Sequence, residues 1–310
     1  MNSNIELIPD SDFQYRIIST SHLKELKEDF QSVADRGHLS ENETFRSYIA
    51  NRSYSVPESM SEAKSIIVVA VFTPMALVNF DYNGHQHELV VPPQYYSSDL
   101  EEEQLRATIQ KKIIRKEGYN LEKANPSVLL KRLAVRSGLA RYGRNNITYV
   151  NEMGSFITLF AYFTNYQFEK DDWSEVKMLD ECDNCRKCKN RCITGAIRGE
   201  PFVIDAGKCV TLYNEIDGEF PDWIPAEAHN SLMGCMRCQA DCPGNKYAIQ
   251  RPIRLEDVSH DETMAILQGT IDEDGLKELN RKMRGYSPTI SMDYFPIFTR
   301  NLGVLLNHSS

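Results

Sequence analysis

Cys182-Asp183-Asn184-Cys185-Arg186-Lys187-Cys188-Lys189-Asn190-Arg191-Cys192 sets three cysteines two residues apart and a fourth three residues beyond them. A second group repeats the pattern in stretched form. Cys209 is followed, after the 25 residues 210–234, by Cys235-Met236-Arg237-Cys238-Gln239-Ala240-Asp241-Cys242-Pro243. Cysteines at this spacing wrap one loop around three irons of a cubane, and the fourth turns away to serve a neighbouring cluster. Applied to both groups, this rule assigns Cys182, Cys185, Cys188 and Cys242 to one 4Fe-4S cluster. It assigns Cys192, Cys209, Cys235 and Cys238 to the other. Two zinc sites of four cysteines each are the rival reading, but zinc is usually held by paired CxxC knuckles a longer stretch apart. Disulfides fit less well still. The chain has 310 residues and no cysteine before position 182, unlike the short secreted domains that rely on disulfide frameworks.

Composition sets wide bounds around this core. Hydrophobic residues make up 41% and charged residues 25%, values of an ordinary globular chain. No apolar run reaches the roughly 18 residues needed to cross a bilayer. Met1 to Asp10 is polar and acidic, without a basic segment followed by an apolar one, so the expected location is the cytoplasm, away from membranes. The formal net charge of -9 argues against nucleic acid as the main partner while leaving room for a local basic patch.

Along the chain, residues 11–50 read as charged and helical. Residues 65–73 (SIIVVAVFT) predict a strand buried on both faces. Asn83-Gly84 predicts a two-residue hairpin turn. Residues 100–117 predict an amphipathic helix. Asn125-Pro126 reads as the N-cap and first position of another helix, stopped near Gly138. Residues 155–163 (SFITLFAYF) predict a second apolar strand, residues 171–180 an acidic linker, and the tail beyond 251 a set of helices. Strands mixed with helices in the first half predict an α/β or α+β layered domain.

Three smaller signals carry two readings each. His85 and His87 either decorate a hairpin or chelate a metal from one strand face. Lys131, Arg132, Arg136, Arg141 and Arg144 form either a solvated helix face or a dock for an anionic cofactor or partner. Tyr95 and Tyr96 either pack in the hairpin or present a phenol to a ligand.

Beyond the cysteines, three stretches resemble epoxyqueuosine reductase, a cobalamin-dependent iron-sulfur enzyme of queuosine tRNA maturation. They are Ala63 to Ala70 (AKSIIVVA), Leu133 to Asn146 (LAVRSGLARYGRNN), and Gly154-Ser155-Phe156 with the apolar strand that follows. The resemblance covers roughly residues 60–250, and the related reductive dehalogenases share the cysteine arrangement. It implies an α+β protein with a nitroreductase-like N-terminal domain (residues 1–175) packed on a ferredoxin-type double-cluster domain (176–250). A short helical tail (251–310) would follow. It also implies a corrinoid pocket lined by Tyr142, Gly143, Arg144, Asn145, Asn146, Gly154 and Ser155. Asn125 stands where the family has its catalytic aspartate, and an amide cannot act as a general acid. Residues 300–306 resemble a remnant of the family's tRNA-docking region.

The expected function is therefore an iron-sulfur oxidoreductase. It would pass electrons from an external donor, such as ferredoxin or flavodoxin, through two clusters to a corrinoid. The substrate would be a small or still unknown molecule, with epoxyqueuosine-tRNA turned over poorly. An electron-transfer or reductive-activator protein, and a flavin-dependent reductase on the same scaffold, are the alternatives.

Overall fold

The computed structural model describes residues 5–50, 52–93, 95, 102–125, 127–199, 203–284 and 290–308. The strands, in chain order, are β1 Phe13–Ser19, β2 Ser65–Phe72, β3 Ala76–Tyr82, β4 His85–Val91, β5 Leu121–Lys123, β6 Arg141–Tyr142, β7 Thr148–Tyr149, β8 Ile157–Thr164 and β9 Ile253–Arg254. The helices are α1 Leu23–Asp35, α2 Glu43–Ile49, α3 Glu102–Ile109, α4 Leu130–Arg136, α5 Lys187–Arg191, α6 Val210–Asn214, α7 Arg237–Ala240, α8 His260–Gln268, α9 Glu273–Lys282 and α10 Phe295–His308. They fold into two compact units. The first is Met1–Phe72, Asp99–Cys185 and Gly199–Ile204, and the second is Thr73–Ser98, Arg186–Arg198 and Asp205–Ser310.

The first unit is built on an antiparallel sheet ordered β1-β2-β8-β5. Every residue of β2 is buried. Its odd-numbered side chains, Ile67, Val69 and Val71, pack with Leu105 and Ile109 of α3 and with Ile113 and Ile114 of the wide turn that continues it. The opposite face is covered by α4, which packs on β2 and β8. A strand covered on both faces has no polar side to alternate with, which is why residues 65–73 read as an unbroken apolar run. Each of its fully buried Ile and Val side chains contributes roughly 1.5–3 kcal/mol relative to exposure.

The second unit carries a three-stranded sheet ordered β4-β3-β9, with β9 parallel to β3. Asn83 and Gly84 both adopt positive φ, 52° and 78°, as the two-residue hairpin turn requires. Val78 and Phe80 of β3 form one core with Ile266 of α8, Leu279 of α9, and Phe298 and Leu302 of α10. Helix α8 opens on a full capping box between Ser259 and Glu262 and closes on Gly269 at φ 67°. The hairpin, which lies within residues 1–175 in sequence, is thus a component of the unit that contains the C-terminal helices.

The expected strands at 65–73 and 155–163, the hairpin and the C-terminal helices are present. Three local expectations need correction. The stretch read as helical from residue 11 begins with strand β1, whose full length pairs with β2. Asn125 caps no helix: the Ala124 N–H still bonds the Ala161 carbonyl at 2.8 Å in the register of β5 and β8, and α4 starts only at Leu130 with Leu129 as an uncapped N-terminus. Pro126 and Tyr96 lie outside the described residues. The acidic stretch 171–180 is no free linker. Asp172 donates its backbone N–H to the Ile17 carbonyl on β1 and accepts the Ile17 N–H on its carboxylate, while Trp173 stacks on His22 and lies under Arg136.

Candidate iron-sulfur centre

No disulfide joins any of the eight cysteines. Cys182 and Cys185 end the first unit's middle segment, and the other six belong to the second unit.

In the first unit, β6 and β7 form a small hairpin whose loop, Gly143 to Ile147, faces the start of the cysteine run. The loop is fixed from within. Gly143 N–H donates to the Ile147 carbonyl at 2.8 Å, Asn146 takes a left-handed φ of 60°, and Asn145 Nδ2 donates to the Tyr149 hydroxyl at 2.9 Å. A β-carbon on Gly143 would lie 2.5 Å from both Asn145 Oδ1 and the Tyr149 ring, so only glycine closes this turn. The closed turn aims Arg144 at the cysteines. Its backbone N–H donates to Cys182 Sγ at 3.4 Å, one guanidinium nitrogen to the Cys182 carbonyl at 2.6 Å, and Nε to the Cys185 carbonyl at 3.2 Å. Burial pushes the Cys182 thiol up, and the Arg144 amide and charge pull it part of the way back.

In the second unit, Cys192 is near enough to act electrostatically on both Cys209 and Cys235. These three belong to the set that the crossover rule draws together from distant parts of the sequence. Burial again pushes the Cys209 and Cys235 thiols up; Thr211 opposes it at Cys209, and at Cys235 the Asn230 side chain donates to Sγ at 3.2 Å. Helices α5 and α7, which precede Cys192 and Cys242, pack together and are joined by an Arg191–Asp241 ion pair of 2.7 Å.

The stretched 210–234 segment is held by buried polar bonds. Asn214 Nδ2 donates to the Gly234 carbonyl and its Oδ1 bonds His229, while Asn301 Nδ2 donates to the Asn214 and Leu232 carbonyls, all at 2.8–3.1 Å. Gly234 has φ 59°, and a β-carbon there would meet the Tyr95 ring at 2.8 Å. Tyr95 hydrogen-bonds Glu215, and burial foremost pushes its hydroxyl well above the usual tyrosine value.

This donor set fits iron-sulfur clusters. Thiolates are the ligand form, and cationic iron replaces the protons that burial makes costly to remove. Among the described residues, no three His, Cys, Asp or Glu side chains converge on a single-ion site. A cubane spreads its four thiolates over four separate irons, whereas zinc needs them at about 2.3 Å from one centre.

The other nominated residues behave differently. Tyr142 is buried, with its hydroxyl pushed up to about 12 by desolvation, and Asn145 is spent on Tyr149. Gly143 is filled by the Tyr149 ring, Gly154 turns the chain at φ 61°, and Ser155 is buried. These contacts are internal and do not offer the side chains of Tyr142, Arg144 and Asn145 to a macrocycle. Asn125 is exposed in the turn after β5. The basic cluster is largely neutralised: Arg132 and Arg136 lie 3.4 and 3.2 Å from Asp29, and Arg141 pairs with Asp180. His85 and His87 sit on β4 with no metal-binding group around them among the described residues. Sequence reasoning had no signal for Asn214, Asn230 and Asn301, which are ordinary polar residues until the fold places them behind Cys235.

Residues 181–245 match the family model of the 4Fe-4S double cluster binding domain. The chain is 34% identical over 114 residues to an epoxyqueuosine reductase of Bacillus subtilis (strain 168), a match spanning 37% of this chain and 28% of that relative's length. Its fold resembles an epoxyqueuosine reductase structure from Bacillus subtilis, described with an aspartate-bearing catalytic loop swung out of the active site. The TM-score is 0.63 at 21% identity, with 95% of this chain and 77% of that one covered. A second epoxyqueuosine reductase structure, holding an epoxyqueuosine-modified tRNA-Tyr stem loop, gives a TM-score of 0.62 at 21% identity over 95% and 77% of the two chains. Sequence and fold thus both resemble epoxyqueuosine reductases. No helix among the described residues is long and apolar enough to cross a membrane.

Proposed function

We propose that this chain is an iron-sulfur reductase of the epoxyqueuosine reductase kind, with a nitroreductase-like first unit, and that it acts on an epoxide of a modified nucleoside in tRNA. The observation that carries the reading is the grouping of Cys192 with Cys209 and Cys235, which are 17 to 43 positions away in sequence. In this proposal Cys192, Cys209, Cys235 and Cys238 hold one cluster, and Cys182, Cys185, Cys188 and Cys242 the other. Bound clusters supply one-electron transfer at low cost in geometry. Reduction of an epoxide consumes two electrons and two protons, so two one-electron centres fed by an external ferredoxin- or flavodoxin-type donor suit it.

The expectation that tRNA is a poor substrate rested on Asn125, the acidic balance and the tail. The resemblance to a structure that holds an epoxyqueuosine-modified stem loop weighs the other way, and the proposal follows it. Asn125 then marks a departure in how a proton is supplied, since its amide has none to give. The side chains of residues 142–145 are taken up by inward contacts and do not cradle a corrinoid. Titration with cob(II)alamin and with flavin, read by visible spectra, identifies the electron acceptor.

The deciding experiment is single-turnover reduction of epoxyqueuosine-containing tRNA by the anaerobic, cluster-loaded protein, with Asn125→Asp alongside. Turnover by the unmodified chain is the expected result, and Asn125→Asp is expected to raise the rate, a positioned general acid being worth roughly 10²–10⁴-fold. Absence of product from both proteins would overturn the substrate assignment and favour an electron-transfer role.

A further inference from the structure

We infer that Arg144 is the built-in counter-ion of the cluster ligated by Cys182 and Cys185, and that it sets that cluster's reduction potential. The inference rests on the iron-sulfur reading above.

Arg144 is 7% exposed. A guanidinium stays charged at any physiological pH, and a buried charge is costly unless an opposite charge or a full set of hydrogen bonds meets it. The other arginines of the basic cluster meet carboxylates: Arg132 and Arg136 meet Asp29, and Arg141 meets Asp180. Arg144 has no acidic partner among the described residues. Its contacts are two carbonyls and one sulfur, and all three belong to Cys182 and Cys185. A buried cation that donates to the carbonyls of two cluster ligands, with its own backbone N–H on the sulfur of one of them, is matched to an anion at those ligands. A cubane held by four thiolates carries net negative charge and gains one more negative charge on reduction. Net charge and hydrogen bonds to the sulfurs are among the factors that set its potential.

Two effects therefore act in the same direction. The guanidinium favours the reduced form because that form is more negative. The amide N–H on Cys182 Sγ does so because a sulfur carrying more charge accepts a stronger hydrogen bond. Gly143 makes this possible, since the tight β6–β7 loop delivers both the amide and the side chain of Arg144 to the same cysteine. At Cys209 and Cys235 the side chains that donate to sulfur are those of Thr211 and Asn230, which are neutral, and the cation there, Arg237, is only partly buried.

The test is an anaerobic redox titration followed by electron paramagnetic resonance. Cys182→Ser and Cys235→Ser assign each signal to its cluster. Arg144→Gln, which keeps a hydrogen-bonding side chain and removes the charge, is expected to lower the reduced-to-oxidised ratio of the Cys182 cluster about tenfold at fixed potential. For a one-electron couple that is a 59 mV fall. Arg144→Lys is expected to restore most of it. Asn230→Ala is expected to move the signal of the Cys235 cluster instead. A full complement of iron and sulfide in Arg144→Gln with both potentials unchanged would overturn the inference, as would a shift confined to the Cys235 cluster. If Arg144→Gln assembles only the Cys235 cluster while Arg144→Lys assembles both, the need for charge is established and the inference stands. If neither variant assembles the Cys182 cluster, the role is steric and the inference falls. Absence of clusters from the unmodified chain would count against the proposed function itself, which keeps the two failures distinguishable.

Discussion

Burial acts in the same direction on the thiols of Cys182, Cys209 and Cys235, yet the chain treats them differently. Burial raises all three thiols. At Cys182 the relief comes from one arginine, delivered by a five-residue loop in the first unit. At Cys209 and Cys235 it comes first from Thr211, Asn230 and the Arg237 amide, the partly buried Arg237 charge adding least, with asparagines behind them holding the backbone. A concentrated charge is long-ranged and tunes a potential, whereas short neutral bonds fix a position. The first site is arranged to be adjusted and the second to be held.

The largest expected effect tests whether the two sites are separable at all. Cys182→Ser and Cys242→Ser should each cost the same cluster, lowering iron from about eight to about four atoms per chain and leaving the same residual resonance signal. Different surviving signals in the two variants would break the crossover assignment. Next in size is Asn214→Ala. Asn214 is fully buried, and its loss leaves the Gly234 carbonyl and a His229 nitrogen without that partner. An unsatisfied buried group costs about 1–3 kcal/mol, so thermal unfolding should shift down and the Cys235 cluster should be lost before the Cys182 cluster. Equal loss of both would show that the neutral network does not serve one site in particular.

The smallest effect belongs to the second unit's surface. Burial tends to raise Glu262, but its bonds to Lys282 and Ser259 prevail and hold it below the usual carboxylate value of 4.5. A carboxylate with a lowered folded-state value contributes stability above its unfolded value and loses it as pH falls through the folded one. Acid titration of unfolding should therefore show a loss of no more than about 1 kcal/mol below pH ~4.5, smaller in Lys282→Met, where only the Ser259 bonds remain. The asparagine network has no titrating carboxylate and should not contribute to that slope.

What the sequence made legible was what it encodes over short range. The apolar run of β2, the Asn83-Gly84 turn, strand β8 and helices α9 and α10 were readable because periodicity and turn chemistry are local. The cysteine sets were readable because cluster loops have fixed spacing. Strand β1 was not: Gln14, Tyr15 and Arg16 interrupt its apolar residues, and only its pairing with β2 makes it a strand. Asn125 looked like a cap because Asn-Pro precedes a helical pattern, but the bond from Ala124 to Ala161 keeps the chain in the sheet up to the residue before Asn125, and α4 begins only at Leu130. The partnership of Arg144 with Cys182 spans 38 positions and follows no periodicity, so nothing local in the sequence shows that the fold directs its guanidinium to the Cys182 and Cys185 carbonyls and its amide to the Cys182 sulfur.

The stretched step between Cys209 and Cys235 changes the order in which the two sites can come into being. Closing a flexible loop has an entropy cost that grows as about (3/2)RT ln n, so bringing those two cysteines together from an open chain costs roughly 2 kcal/mol more than closing a CxxC step. In the first run, iron itself can gather Cys182, Cys185 and Cys188, which need little help to meet. In the second, the loop is held by protein bonds of its own, through Asn214, Gly234 and Asn301. One nest relies on its cargo for closure and the other on buried amides, so a chain stripped of iron should take it up again first at Cys209 and Cys235.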